Sequence, residues 1–196
     1  MDNIRKVERA GRGAWTIEAL GSLLGLDPSA TSVFCSRAVK RGDLVRVKRG
    51  VFVLPGWLDR ADEVEVFALS NILQTPSYVS LTTALSWRGA TTQIARAACE
   101  AISPVRTSRY MPEGFDLRFF RLPRRLYFGF ELARGAFVAE AEKALLDAAY
   151  LSSLGRYSTD TSSVEWGSLD RRRLARYAKR FPARAEKHLA RMEGIQ

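Results

Sequence analysis

The stretch between Arg37 and Arg49 concentrates the side chains best suited to holding a polyanion. Arg37, Lys40 and Arg41 close one run, and Lys48 and Arg49 follow at a bend. Guanidinium and ammonium groups so placed contact phosphates, and they also read guanine edges. Ser32, Ser36 and Lys40 recur four apart, so they share one face of a helix, with Arg37 near its edge. Small hydroxyl side chains let such a face approach a groove closely; they suit a solvated surface as well. A second concentration is Arg171, Arg172, Arg173, Arg176, Lys179 and Arg180. It is dense enough for a further phosphate contact or for an acidic-partner surface, and the sequence supports both.

Little else in the chain has the makings of a reaction site. His188 is the only histidine, which excludes any site needing two, including the H-E-x-x-H zinc pattern. Cys35 and Cys99 form no C-x-x-C pair, and no phosphate-loop, dinucleotide or nucleophile-elbow motif occurs. Glu142, Lys143 and Asp147 cluster on one helical segment, but Glu142 and Asp147 are five apart and point in different directions. They read as solvated charges on a core-facing helix. The expectation is no catalytic residue, no metal and no cofactor, although an enzyme built on Asp, Lys and Ser alone would leave no such signature.

The net charge of +10 is unevenly spread over the 196 residues. Residues 1–57 hold ten Lys/Arg against five Asp/Glu, residues 58–163 hold twelve of each, and residues 164–196 hold nine against four. A neutral middle with basic ends suits a protein that meets a polyanion with its terminal elements, ordinary solubilising charge being the plain alternative. With 46% apolar and 27% charged residues the chain reads as globular, long enough for one compact domain or two small ones. No run reaches the roughly 18 apolar residues of a membrane span, and the N-terminus lacks a secretory apolar core. Two cysteines imply no disulfide framework. A reduced, cytoplasmic protein without membrane contact is expected.

Elements must hold these groups in place. Residues 2–10 predict a short helix with Ile4 and Val7 on one face. Thr16 is placed to cap a helix carrying Ile17, Leu20 and Leu24, with Gly25 ending it. Asp27 and Pro28 open a helix to about Arg41, closed by Gly42, whose buried stripe is expected to be Ala30, Phe34 and Ala38 with Cys35 beside it. Leu44–Val47 and Val51–Leu54 read as paired strands around Lys48-Arg49-Gly50. Short helices running into a hairpin make the order of a winged helix-turn-helix, whose last helix enters the major groove while the wing reaches the backbone or minor groove.

Beyond it, residues 61–73 and a segment capped by Ser80 and ended by Gly89 read as helices. Residues 94–103 are ambiguous between helix and strand, "FDLRFFRL" is strand-like, and 126–130 suggests another short strand. Residues 137–152 predict the strongest helix, with Ala141, Ala144, Leu145 and Ala148 on one stripe. Ser168 is placed to cap a basic helical tail, and Pro182 to open a further helix through Leu189. The expected fold class is α+β: an amino-terminal winged helix-turn-helix at residues 1–57, then a mixed α/β domain at 58–196 with a helical basic tail.

Four stretches, in this order, carry a likeness: "SRAVKRGDLVRVKRGVFVLPG" (36–56), "YVSLTTALSWRGA" (78–90), "FGF" (128–130) with the charged-aromatic strand before it, and "AEAEKALLDAAYL" (139–151). Together they resemble the AbiEi family of antitoxins from type IV toxin–antitoxin systems, over roughly residues 15–152. The resemblance implies a winged helix that binds inverted repeats in its own promoter and represses the operon. It further implies a second domain tied to neutralising a nucleotidyltransferase-like toxin, by contact or indirectly. Ser32, Ser36, Arg37, Lys40, Arg41, Lys48 and Arg49 then become the expected DNA contacts, while Tyr78, Ser80, Leu81, Ala84, Leu85, Glu142, Lys143, Leu145, Leu146 and Asp147 fall on the second domain's motifs. Phe52 stands where a tyrosine is usual, and Ala38 and Ala149 where larger aliphatics are common, changes that reduce core volume without removing charge. Two rival readings remain open: a winged-helix transcription factor without a toxin partner, and a second domain with residual enzymatic activity. The oligomeric state is open too, a monomer binding DNA cooperatively being one form.

Overall fold

The structure, a computed structural model, describes residues 3–11, 13–94 and 96–194. Asp2 of the expected first helix and Ala95 of the ambiguous segment lie outside these. The amino-terminal elements are α1 (Asn3–Arg9), β1 (Ala14–Thr16), α2 (Ile17–Leu24), α3 (Pro28–Arg41), β2 (Val45–Lys48) and β3 (Val51–Val53). Local signals set their bounds. Thr16 Oγ1 accepts from the Ala19 N–H at 3.2 Å, and Asp27 from the Ala30 N–H at 2.9 Å. Gly42 ends α3 at φ 80°, a left-handed conformation open to glycine. Strand β3 lies between β1 and β2, antiparallel to both, so the wing sheet has three strands. The sequence does not announce β1, since three residues are too few to show a period.

The buried stripe of α3 is Thr31, Cys35 and Ala38 rather than Ala30, Phe34 and Ala38. Thr31 is accommodated because its hydroxyl donates to the Asp27 carbonyl at 2.7 Å, and Ala30 and Phe34 are left half-buried.

The second part comprises α4 (Glu63–Leu73), β4 (Tyr78–Val79), α5 (Leu81–Trp87), β5 (Ala98–Ser103), β6 (Ser108–Tyr110), β7 (Asp116–Arg121), β8 (Phe130–Ala133), β9 (Ala136–Ala139), α6 (Ala141–Ser153), α7 (Arg171–Ala178) and α8 (Ala183–Gly194). Its sheet runs β6-β7-β5-β4-β9-β8, with β5/β7 and β4/β9 parallel and the other pairs antiparallel. The ambiguous 94–103 segment ends in strand β5. The strand expected at 126–130 begins only at Phe130, because Arg124–Leu126 makes a 3-10 turn. The helix expected from residue 137 begins at Ala141, because Ala136–Ala139 pairs with β8. Ser168 caps nothing; Asp170 accepts from the Arg172 and Arg173 N–H groups at 2.9 and 3.0 Å and starts α7. Helix α8 continues past Leu189 to Gly194.

Two apolar cores meet at the wing. Val7, Trp15, Leu20, Leu24, Cys35, Ala38, Leu44 and Phe52 form the first. Val47, Val51 and Val53 belong to the second, with α4, α5, α6 and the large sheet. Strand β3 is therefore buried on both faces. The seam is tied by the Gly56 N–H, which donates to the Glu113 carboxylate at 3.0 Å. Gly13 also lies so close to Trp57 that a Cβ there would stand 1.9 Å from its ring. Helix α6 is central, with every residue from Glu142 to Leu151 buried.

Candidate nucleic-acid interface

Ser32 and Ser36, one turn apart on α3, face the wing across a concavity of about 570 Å3. Arg46, Arg49 and Gly50 line it from the wing, and the Glu18 carboxylate lines it from α2. Arg37 and Lys40 are exposed on the same helix. Arg37 and Arg41 line a further hollow toward α1, with Asn3, Val33 and Phe34. Arg41 is also engaged by Asp43, at 2.7 Å in an exposed pair. Serines on a helix beside arginines on a wing offer small groups for close approach and cations for phosphate. Cys35 also lines the concavity, but burial pushes its thiol up, away from thiolate chemistry at neutral pH.

Lys48 departs from its expected place. Its ammonium donates to the Leu73 carbonyl at 2.7 Å, closing the C-terminus of α4 instead of projecting from the wing. Arg46, absent from the expected set, takes a place in the concavity, 5.7 Å from the buried Phe52 ring. The cause is a bulge: Arg46 pairs with Phe52 and Lys48 with Val51, so the register shifts between them. A bulge breaks alternation and re-aims the side chains that follow.

The basic tail is largely committed within the molecule. Arg171 pairs with Glu193 of α8 and lies over Trp166. Arg173 reaches Glu140 at 3.4 Å and Glu142 at 3.6 Å, and the Arg180 guanidinium stands 3.4 Å from the centre of the Phe128 ring. Arg176 lies over Tyr177, while Arg172 and Lys179 are exposed. The cluster thus helps to fasten α7 to its neighbours.

What the sequence hides is a polar cluster in the second core. The charges expected to be solvated are buried: Lys143 and Asp147 have 0% exposure, and Glu142 has 4%. Lys143 and Asp147 form an ion pair one turn apart. The Lys143 ammonium also donates to Tyr78 Oη at 2.6 Å, and the Tyr78 and Ser80 hydroxyls donate to Asp147 at 2.9 and 2.8 Å. The rings of Tyr78, Phe128 and Phe181 surround the ammonium at 5.1–5.2 Å. Burial pushes the Asp147 carboxyl up and the Lys143 ammonium down, and their mutual attraction opposes both shifts. Ser80 does not cap α5 because its hydroxyl goes to Asp147; Leu81 follows at φ 57°, a strained position held by complete burial. Glu142 accepts from the Asp170 N–H at 2.8 Å, joining α6 to the start of α7. With no face open to a substrate, this cluster binds β4, α5, α6 and the tail into one body. Among the described residues no group of three or more His, Cys, Asp or Glu is placed to hold a metal, and no helix is long and apolar enough to cross a membrane.

Helices and strands in this order define an amino-terminal winged helix-turn-helix, followed by a larger mixed α/β domain ending in two packed helices. Residues 16–55 of the chain, which span α2, α3 and the wing, match the family described as "Transcriptional regulator, AbiEi antitoxin". As a whole fold it is similar to the crystal structure of the RV2827C protein from Mycobacterium tuberculosis, with a TM-score of 0.60 and 14% identity over 96% of this chain and 74% of that one. At that identity the likeness is one of fold. No curated protein matches the sequence.

Proposed function

We propose that this protein is a cytoplasmic, non-enzymatic DNA-binding autorepressor and the antitoxin of a type IV toxin–antitoxin system, counteracting a nucleotidyltransferase-like toxin. One observation carries the DNA half: a single concavity joins Ser32 and Ser36 of α3 to Arg46 and Arg49 of the wing. In this reading α3 lies in the major groove, Arg37 and Lys40 contact phosphates or base edges, and Arg49 with Arg46 holds the flanking backbone. The match of residues 16–55 to an AbiEi-type domain supports both the repressor and the antitoxin assignment. The test is fluorescence anisotropy on the protein's own upstream region against a scrambled duplex at two salt concentrations. Salt-sensitive binding that prefers the native duplex by about a hundredfold or more is expected, a threshold set below the roughly 10³–10⁷ by which specific sites usually exceed non-specific ones. Equal, weak binding to both duplexes would remove the repressor assignment. The antitoxin half is tested by asking whether a nucleotidyltransferase-like gene adjoins this one and whether co-expression of the two rescues growth.

A further inference from the structure

A separate concavity, of about 640 Å3, opens on the second domain where β5 and β7 run parallel and residues 156–158 cross beside them. That size falls within the range of small-molecule sites. Glu100 lies in it, only 6% exposed, and Arg96, Arg118 and Arg156 line the same space. Tyr157 donates its hydroxyl to Glu100 Oε2 at 2.8 Å, and Thr82 lies 2.7 Å from the same hydroxyl. Burial pushes the Glu100 carboxyl up, with the Tyr157 hydrogen bond and Arg118 pulling the other way.

The three arginines differ in what they are already bound to. Arg118 is 2.7 Å from Asp116 and 3.8 Å from Glu100 Oε1, so carboxylates of the protein answer its charge. Among the described residues Arg156 donates to neutral oxygens alone, the Arg121 carbonyl at 3.4 Å and the Thr107 hydroxyl at 3.1 Å. Arg96 is exposed and has no ion-pair partner among the described residues. Two guanidiniums with no ion-pair partner among the described residues thus line this space, and a planar donor fork matches a ligand's phosphate. In the same space Glu100 Oε1, with the Arg118 guanidinium 3.8 Å away and so beyond hydrogen-bonding distance, is placed to accept from an N–H. Phe120 lines the space beside Tyr157, their rings edge to face at 5.5 Å, and offers a surface for a flat heterocycle.

We infer that this concavity is a mononucleotide site, with the phosphate on Arg96 and Arg156 and the base against Phe120, its N–H groups toward Glu100. It is distinct from the α3–wing groove and stands whether or not that groove binds DNA.

Isothermal titration calorimetry on the full chain tests it with GMP, AMP, CMP and UMP against ribose 5-phosphate and inorganic phosphate. At least one nucleotide is expected to bind about tenfold or more tighter than ribose 5-phosphate, a gap of about 1.4 kcal/mol. Arg96→Ala and Arg156→Ala, both at exposed positions, should each weaken that nucleotide by about tenfold. Glu100→Gln should erase the advantage over ribose 5-phosphate while keeping the weaker phosphate binding. Native-duplex affinity should be unchanged in the two arginine variants, and an unchanged melting temperature without ligand would show that they fold. Failure of every nucleotide to exceed ribose 5-phosphate would overturn the site, as would binding that survives both arginine substitutions. A hexaglutamate peptide that binds as tightly as the best nucleotide would also sink it, and would point to an acidic protein surface instead.

Discussion

Arg46 and Lys48 stand two apart on one short strand and reach different partners, one the groove beside α3, the other the end of α4. In sequence they are equivalent cations in "VRVKRG", and the bend makes Lys48 the more attractive contact. The bulge that separates them depends on how β2 pairs with β3, so no local pattern reports it. A measurable difference follows for the protein on its own upstream duplex. Arg46→Ala and Arg49→Ala should each lower the salt slope of binding by about one unit, the loss of one phosphate contact apiece. Lys48→Ala should leave the slope alone and lower unfolding stability by about 1–2 kcal/mol, the contribution of a partly buried hydrogen bond from a charged group. Anisotropy titrations over several salt concentrations with parallel urea melts read both. A fall in slope for Lys48→Ala with none for Arg46→Ala would reverse the assignment.

At the scale of elements, what was legible was local. Thr16, Asp27 with Pro28, Gly25 and Gly42 mark α2 and α3 because capping is decided within a few residues. Strand β9 was hidden in the run before α6, since short apolar stretches do not tell helix from strand without their neighbours. Lys143 and Asp147 read as solvated in the sequence because opposite charges four apart are also the mark of a solvent-facing helix pair. The contrary signal lay between and around them: Ala144, Leu145, Leu146, Ala148 and Ala149 leave α6 no polar face, as in a helix buried all round. The two second-domain motifs, "YVSLTTAL" and "EKALLDAAYL", prove to be the two sides of one joint, supplying Tyr78 and Ser80 to Lys143 and Asp147. Removing one side strands the other charge in a dry interior. Asp147→Ala and Lys143→Met should each cost about 3–5 kcal/mol, and the pair Lys143→Met with Asp147→Leu clearly less than their sum. Denaturant melts of the three variants and the parent measure the coupling; strict additivity would mean that the pair is not a unit.

For the whole molecule, the wing is the place where reading the two parts separately fails. A free hairpin needs one apolar face, but Val51, Phe52 and Val53 are all buried, Phe52 against the helices and the valines in the second core. Val47, the Lys48 ammonium and the Gly56 N–H are likewise engaged by residues beyond position 57. The alternation of β2 and β3 suggested a simple hairpin because the sequence cannot show what covers its second face. A DNA-binding surface built on such a wing inherits its geometry from the second domain, so the two parts should unfold together. Trp15 lies in the first core and Cys99 in the second, where burial pushes its thiol to about 12. Tryptophan fluorescence of a variant keeping only Trp15, and thiol labelling of Cys99 in a Cys35→Ala background, then report on the two cores independently. One urea midpoint for both probes is expected, and Asp147→Ala should shift both to lower urea together. Two separated midpoints, with the Trp15 transition indifferent to Asp147→Ala, would instead establish a winged helix that holds its shape alone.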